Sequence, residues 1–262
     1  MPYLDVNNTT LYYEDEGGGQ PLLFLHGWGS SARVWGAQLP EFVTDHRVVT
    51  LDWRGCGRSG RPAKHNTIDG VLTDLTGLIG ALHLDRPIVV GSSIGATFAT
   101  ELALRSPDLI GGAVAVDGPG YWPAQEMAIG ELLDGLRADR ARFIAGWVPN
   151  WYAPGTSPAL IDWTIRQVLD SGTYIDDQFA GFASYDPRPG LPGLRVPIHY
   201  IHGELDTSIP VEVARTCAAR TPGAGLTVIP GAAHMPQQER PSQFNATLRA
   251  ALASMQPTAA AV

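Results

Sequence analysis

The stretch Val89-Val90-Gly91-Ser92-Ser93-Ile94-Gly95-Ala96 decides how this chain is read. Ile88, Val89 and Val90 are β-branched and apolar, as a strand buried on both faces requires. After them, Ala96 to Arg105 is helix-compatible, with Phe98, Leu102 and Ala103 at helical spacing. A strand therefore runs almost directly into a helix through the pattern Gly91-x-Ser93-x-Gly95. A serine at the apex of so tight a turn adopts an unfavourable backbone conformation, and small residues two positions either side let strand and helix pass closely. The turn lifts the Ser93 hydroxyl out of the sheet. It also leaves the Ile94 N–H at a helix N-terminus, where it can face an anion. Ser92 shares the turn, but only Ser93 has glycine at both −2 and +2, so Ser93 is the candidate nucleophile. Taken alone the pattern also fits a βα turn with no chemistry.

Outward from this stretch, strand and helix signals alternate. Leu4–Val6 and Leu11–Glu14 read as short strands around Asn7-Asn8-Thr9. Pro21–Leu25 and Arg47–Leu51 read as buried strands, ending at His26-Gly27-Trp28-Gly29 and at Asp52-Trp53-Arg54-Gly55-Cys56-Gly57-Arg58-Ser59. Between them Ala32–Phe42 has a helical apolar spacing, and Ile68–Leu82 is a clear amphipathic helix. Ile110–Val116, Pro197–His202 and Leu226–Ile229 complete the strands; Val211–Arg220 and Pro241–Met255 read as helices. Continuous apolar strands alternating with helices predict an α/β fold: a mostly parallel central sheet of about eight strands with helices on both faces. The rhythm breaks over residues 121–194, which hold Trp122, Trp147, Trp151, Trp163 and Phe179 but no convincing strand. The expected organisation is a core of 1–120 and 195–255, a helical cap over 121–194 and a disordered tail at 256–262.

Composition excludes several classes. In 262 residues, 18 basic against 26 acidic side chains give a net charge of −8, which argues against nucleic acid or an anionic membrane as partner. Two cysteines, Cys56 and Cys217, make neither a disulfide framework nor a metal site. With no secretory leader and no long apolar run, the chain reads as cytoplasmic.

Acyl transfer by a serine needs a base, a carboxylate to orient it, and donors for the oxyanion. Each has a candidate in a loop just after a strand, where sites form in open α/β sheets. His234 follows the last strand in Gly231-Ala232-Ala233-His234, a position that none of the other six histidines has. Asp206, in Gly203-Glu204-Leu205-Asp206, gives the chain order Ser, acid, His. Asp117, at the end of the strand after the Ser93 unit, is a rival acid. The Trp28 N–H is the candidate second oxyanion donor beside Ile94, and the Trp28 side chain, with Trp53, Trp122 and Trp151, is expected to line the substrate pocket. His26, Asp52 and Arg54 read as braces for their loops, and Cys56 as inert.

On these motifs, with Glu239-Arg240-Pro241, the chain resembles the α/β-hydrolase superfamily from about Leu11 to Met255, most of all its small bacterial esterases, lactonases and cofactor-free haloperoxidases. The resemblance implies the α/β-hydrolase fold, Ser93 as nucleophile, His234 as base, Asp206 as acid and no cofactor. It also implies a small-molecule ester or lactone substrate, for which the aromatic cap suggests an aromatic or alicyclic portion. Monomer and homodimer both stay open. Two departures stand out: Ser92-Ser93-Ile94 where relatives often have His or Phe, then Ser, then Met or Gln, and Cys56 in place of a frequent His or Phe. Peracid-forming haloperoxidase chemistry and C–C hydrolysis use the same fold and residues; cofactor-free dioxygenation of heteroaromatic rings uses the same fold with the His and the acid. A non-catalytic hydrolase-like binding protein is the reading from another class, against which the complete set of reacting parts argues.

Overall fold

A computed structural model describes residues 2–118, 120–121 and 129–255. Trp122 and the tail 256–262 lie outside the described residues. The chain opens with a hairpin, β1 (Tyr3–Val6) and β2 (Thr9–Gly17). Asn7 and Asn8 make its two-residue turn at φ 43° and 59°, a conformation asparagine tolerates better than most side chains. Six further strands follow: β3 (Gln20–Leu25), β4 (His46–Asp52), β5 (Ile88–Ser92), β6 (Gly112–Val116), β7 (Ile198–Gly203) and β8 (Gly225–Ile229). They form one sheet in the order β1-β2-β4-β3-β5-β6-β7-β8. The β1–β2 and β2–β4 pairs are antiparallel and all others parallel.

Helices cover both faces of the sheet, which is why β3 and β5 are buried along nearly their whole length. α1 (Leu39–Phe42), α2 (Ile68–Ala81) and α3 (Ile94–Arg105) precede β6; α7 (Val211–Arg220), α8 (Pro236–Glu239) and α9 (Pro241–Met255) follow β7. Thr67 caps α2 by accepting the Gly70 N–H. The expected single helix over Ala32–Phe42 is instead a 3-10 turn, Ala32–Trp35, and the one-turn α1. Gly36 and Pro40 in so short a span favour breaking it.

Between β6 and β7 the described chain contains no strand. It forms α4 (Ile129–Trp147), α5 (Pro158–Asp170) and α6 (Gln178–Phe182), linked by 3-10 turns at Val148–Trp151 and Thr173–Asp177. α4 is broken at Asp139 (φ −158°, ψ 89°), whose side chain accepts the Arg142 N–H and so starts the helix afresh.

The strand order carries the functional consequence. From β3 the chain goes to β4 on one side, and β5 pairs with β3 on the other. The loops after β3 and β5 diverge across that switch point, the place where open α/β sheets hold ligands.

Candidate active site

The geometry begins with two glycines. A Cβ on Gly91 would collide with the Gly95 carbonyl oxygen, and one on Gly95 with the carbonyl of Leu25. The turn between them closes only because both positions lack side chains. Ser93 takes the strain at φ 53°, ψ −122° and stands half-buried at the head of α3. Ser92 is buried within β5, its hydroxyl accepting from the Gln237 side chain, so the two serines face different surroundings.

His234 meets Ser93 from across the sheet edge. The Ser93 hydroxyl donates to His234 Nε2 at 3.0 Å, and His234 Nδ1–H donates to Asp206 Oδ2 at 2.7 Å. Asp206 Oδ1 in turn accepts the N–H groups of Ser208 and Ile209 at 2.8 and 3.0 Å. Asp206 is buried, which raises its pKa, but His234 and these donors outweigh that and hold the carboxyl below its usual range. Asp117, the rival acid, does not reach His234 by a hydrogen bond. It is fully buried and its Oδ1 accepts the Gly203 N–H at 2.7 Å.

The loop after β3 supplies the opposite wall. A Cβ on Gly27 would lie 3.2 Å from the Ser93 Cβ, so glycine allows this loop to approach the serine. Neither the Trp28 nor the Ile94 N–H donates to another described residue. His26 braces the loop: its Nδ1–H donates to its neighbour Gly27 O at 2.8 Å, and its Nε2 accepts the Trp53 N–H at 3.2 Å. Burial lowers the His26 pKa to about 4, so the ring is neutral at ordinary pH. Asp52 ties two further loops, accepting from the Ala32 and Arg58 amides. Arg54 and Asp74 form a buried ion pair that also holds the His65 carbonyl and Asn7. Cys56 is buried and its thiol is pushed well up by that burial, in keeping with an inert role.

Above the serine lies a small cavity lined mainly by Trp28, Ile94, Trp147, Trp151, Phe179 and Ile209 around Ser93 and His234. Its volume is about 40 Å³. Trp28 and Trp151 both line this cavity. Trp53 does not line the cavity: it lies beneath the loop, stacked on His26 and donating its ring N–H to the His26 carbonyl. Post-strand position revealed that Trp53 was near the site but not which way its side chain points.

Sequence reasoning missed three kinds of partner. Trp147 and Phe179 line the cavity from α4 and α6, and helical periodicity gave no sign of which aromatic residues turn inward. Glu239, noted only as part of a motif, accepts the amides of Ala233 and Met235 on one oxygen and of Ala153 on the other. The His234 N–H donates to the Trp151 carbonyl at 2.9 Å. The histidine loop is thus clamped from both sides, by α8 and by the segment between β6 and β7.

The chain belongs to the alpha/beta hydrolase family, whose sequence model matches residues 22–247. Among individual proteins it is similar to the pimeloyl-[acyl-carrier protein] methyl ester esterase of Edwardsiella ictaluri (strain 93-146), 28% identical over 253 residues, covering 92% of this chain and 96% of that one. Of solved structures, a thermophilic esterase from Thermogutta terrifontis superposes with a TM-score of 0.87 at 25% identity, over 98% of both chains. A bromoperoxidase from Bacillus anthracis does so with a TM-score of 0.87 at 26% identity, over 94% of this chain and 96% of that one.

Proposed function

We propose that this protein is a serine hydrolase that cleaves a carboxylic ester or lactone through an acyl-enzyme intermediate. The observation that carries the reading is the continuous hydrogen-bonded line from the strained Ser93 through His234 to Asp206. In this reaction His234 Nε2 takes the Ser93 proton as Oγ attacks the carbonyl carbon. The tetrahedral oxyanion accepts from the Trp28 and Ile94 N–H groups, which have no other described acceptor. Asp206 keeps the proton of neutral His234 on Nδ1 and stabilises the imidazolium that forms. His234 then gives its proton to the leaving alcohol, and later activates the water that releases the acid.

The cavity supports a short acyl portion. Its volume of about 40 Å³ leaves little room beside Ser93. Its aromatic walls favour an apolar group there. The aromatic or alicyclic portion suggested by the cap fits better on the alcohol side, toward solvent.

The likeness to a bromoperoxidase supports a second reaction at the same serine: perhydrolysis, in which hydrogen peroxide replaces water in attacking the acyl-enzyme and yields a peracid. It would share the Ser93 dependence.

The test is labelling with a fluorophosphonate and mass mapping of the modified peptide. Modification at Ser93, lost in His234→Ala, is the expected result; a folded protein that resists the probe would overturn the reading.

A further inference from the structure

Behind the line of Ser93, His234 and Asp206 stands a buried carboxyl that the proposed reaction does not use. Asp117 follows β6 at φ 45° and is fully buried. Its Oδ1 accepts the Gly203 N–H, but its Oδ2 is buried and has no hydrogen-bond partner. One oxygen of Asp117, one oxygen of Asp206 and one ring nitrogen of His234 lie within 4.8 Å of one another. Two carboxyl groups therefore share one buried site.

Among the described residues none places a cation against Asp117. His202, on β7, has its Nε2 3.7 Å from Asp117 Oδ1 and 3.5 Å from Asp206 Oδ2. That nitrogen carries a hydrogen and donates it to the Ile209 carbonyl at 2.8 Å, while burial pulls the His202 pKa down. The imidazole is thus a neutral ring spanning the two acids. His234 faces Asp206. Glu239, from α8, adds a further negative charge. Asp206 has two backbone donors and His234; Asp117 has one backbone donor and an orphaned oxygen. Carboxylates this close do not both ionise, and the better-solvated one keeps the charge. Burial first, and then the charge on Asp206, push the Asp117 carboxyl well above the usual carboxylate range.

We propose that Asp117 is a neutral carboxylic acid whose Oδ2–H donates to the Asp206 carboxylate, making it a positioning residue for the acid that orients His234. The proton turns the orphaned oxygen from an unpaired acceptor into a donor. It holds the Asp206 carboxylate in place beside His234 and spreads its charge, so that Asp206 stays ionised without overstabilising imidazolium.

Asp117→Asn separates this from an ionised Asp117, because an amide reproduces the neutral acid: Oδ1 still accepts from Gly203 and Nδ2 donates to Asp206. The expected result is kcat/KM within about threefold of the parent and an acid limb of the pH–rate profile that does not move. Were Asp117 ionised, the same change would delete a negative charge beside His234 and move that limb down by about one unit or more, overturning the proposal. Asp117→Leu removes the donor altogether; its acid limb is expected to move up, and an unmoved limb in the folded variant would count against the proposal. These kinetic arms rest on the serine-hydrolase reading. Infrared spectroscopy does not: at neutral pH the unmodified protein is expected to show a protonated-carboxyl C=O stretch that Asp117→Asn lacks. Its absence from the unmodified protein would overturn the proposal even if ester hydrolysis were never observed.

Discussion

His26 is held neutral by burial, and pH exposes the consequence. The unfolded chain protonates this ring near the ordinary value of about 6.5, whereas the folded protein does so only at about 4. The folded pKa is the lower one, so the contribution is present above about pH 6.5 and is lost as pH falls toward 4. The loss approaches about 3 kcal/mol. The ring's Nε2 accepts the Trp53 N–H, so protonation would also turn that acceptor into a second donor. Urea-unfolding midpoints measured from neutral pH downward are expected to fall steeply within this window; a flat profile would disprove the account. At the same scale, Asp206→Asn is expected to lower kcat by about 10⁴-fold with the fold intact, as steady-state kinetics on a responsive ester would show. The sequence left Asp117 and Asp206 as rivals because both end strands. Only three-dimensional placement separates them: the loop after β7 carries Asp206 to His234, while Asp117 turns back to the Gly203 amide.

At the scale of elements, the strands were the most legible part of the chain. Strands such as β3 and β5 are buried along nearly their whole length, so their apolar runs have no competing reading. The helices with regular apolar spacing, α2, α7 and α9, were read within a residue or two of their limits. The span Ala32–Phe42 was not, since apolar spacing does not register a chain broken at Gly36 and Pro40. The loop Asp52–Ser59 was legible as a brace, and its anchor is testable. Arg54 Nε donates to Asp74 Oδ2 at 2.6 Å, with both side chains buried. Asp74→Ala leaves an unpaired buried guanidinium and is expected to lower stability by about 3–5 kcal/mol, measured by chemical denaturation. The elbow gives a second case. Gly95→Ala drives a methyl group into the Leu25 and His26 carbonyls, so loss of fluorophosphonate labelling is expected before loss of helical circular dichroism. Unchanged labelling would show that the turn tolerates a side chain.

For the whole molecule, the segment between β6 and β7 matters most, and it was the least legible. α4 is broken at Asp139 and α6 spans only five residues, so apolar spacing marks neither plainly. Which aromatic residues pack among themselves and which face Ser93 depends on how α4 to α6 settle over the sheet. Phe182 and Tyr185 pack edge to face within the segment, while Trp147 and Trp151 meet edge to face beside the serine. The cavity's size yields an expectation at this scale. Hydrolysis of 4-nitrophenyl esters is expected to peak at acetate or propionate and to fall for longer chains, with Trp147→Ala extending the range. A parent enzyme that prefers long chains would refute the role given to that wall. Among the described residues no helix is long and apolar enough to cross a membrane.

The hydrogen bond from the His234 amide to the Trp151 carbonyl has a consequence for how such proteins diversify. The segment that lines the cavity also holds the backbone of the proposed base, and its Ala153 amide is held by the same Glu239 that clamps the histidine loop. Specificity and reactivity therefore share scaffolding. A chimera that grafts a foreign segment between β6 and β7 would inherit a new pocket but lose a tether on its imidazole. Recombination at this boundary should yield active offspring mainly when the donor brings its own equivalent of the Trp151 carbonyl.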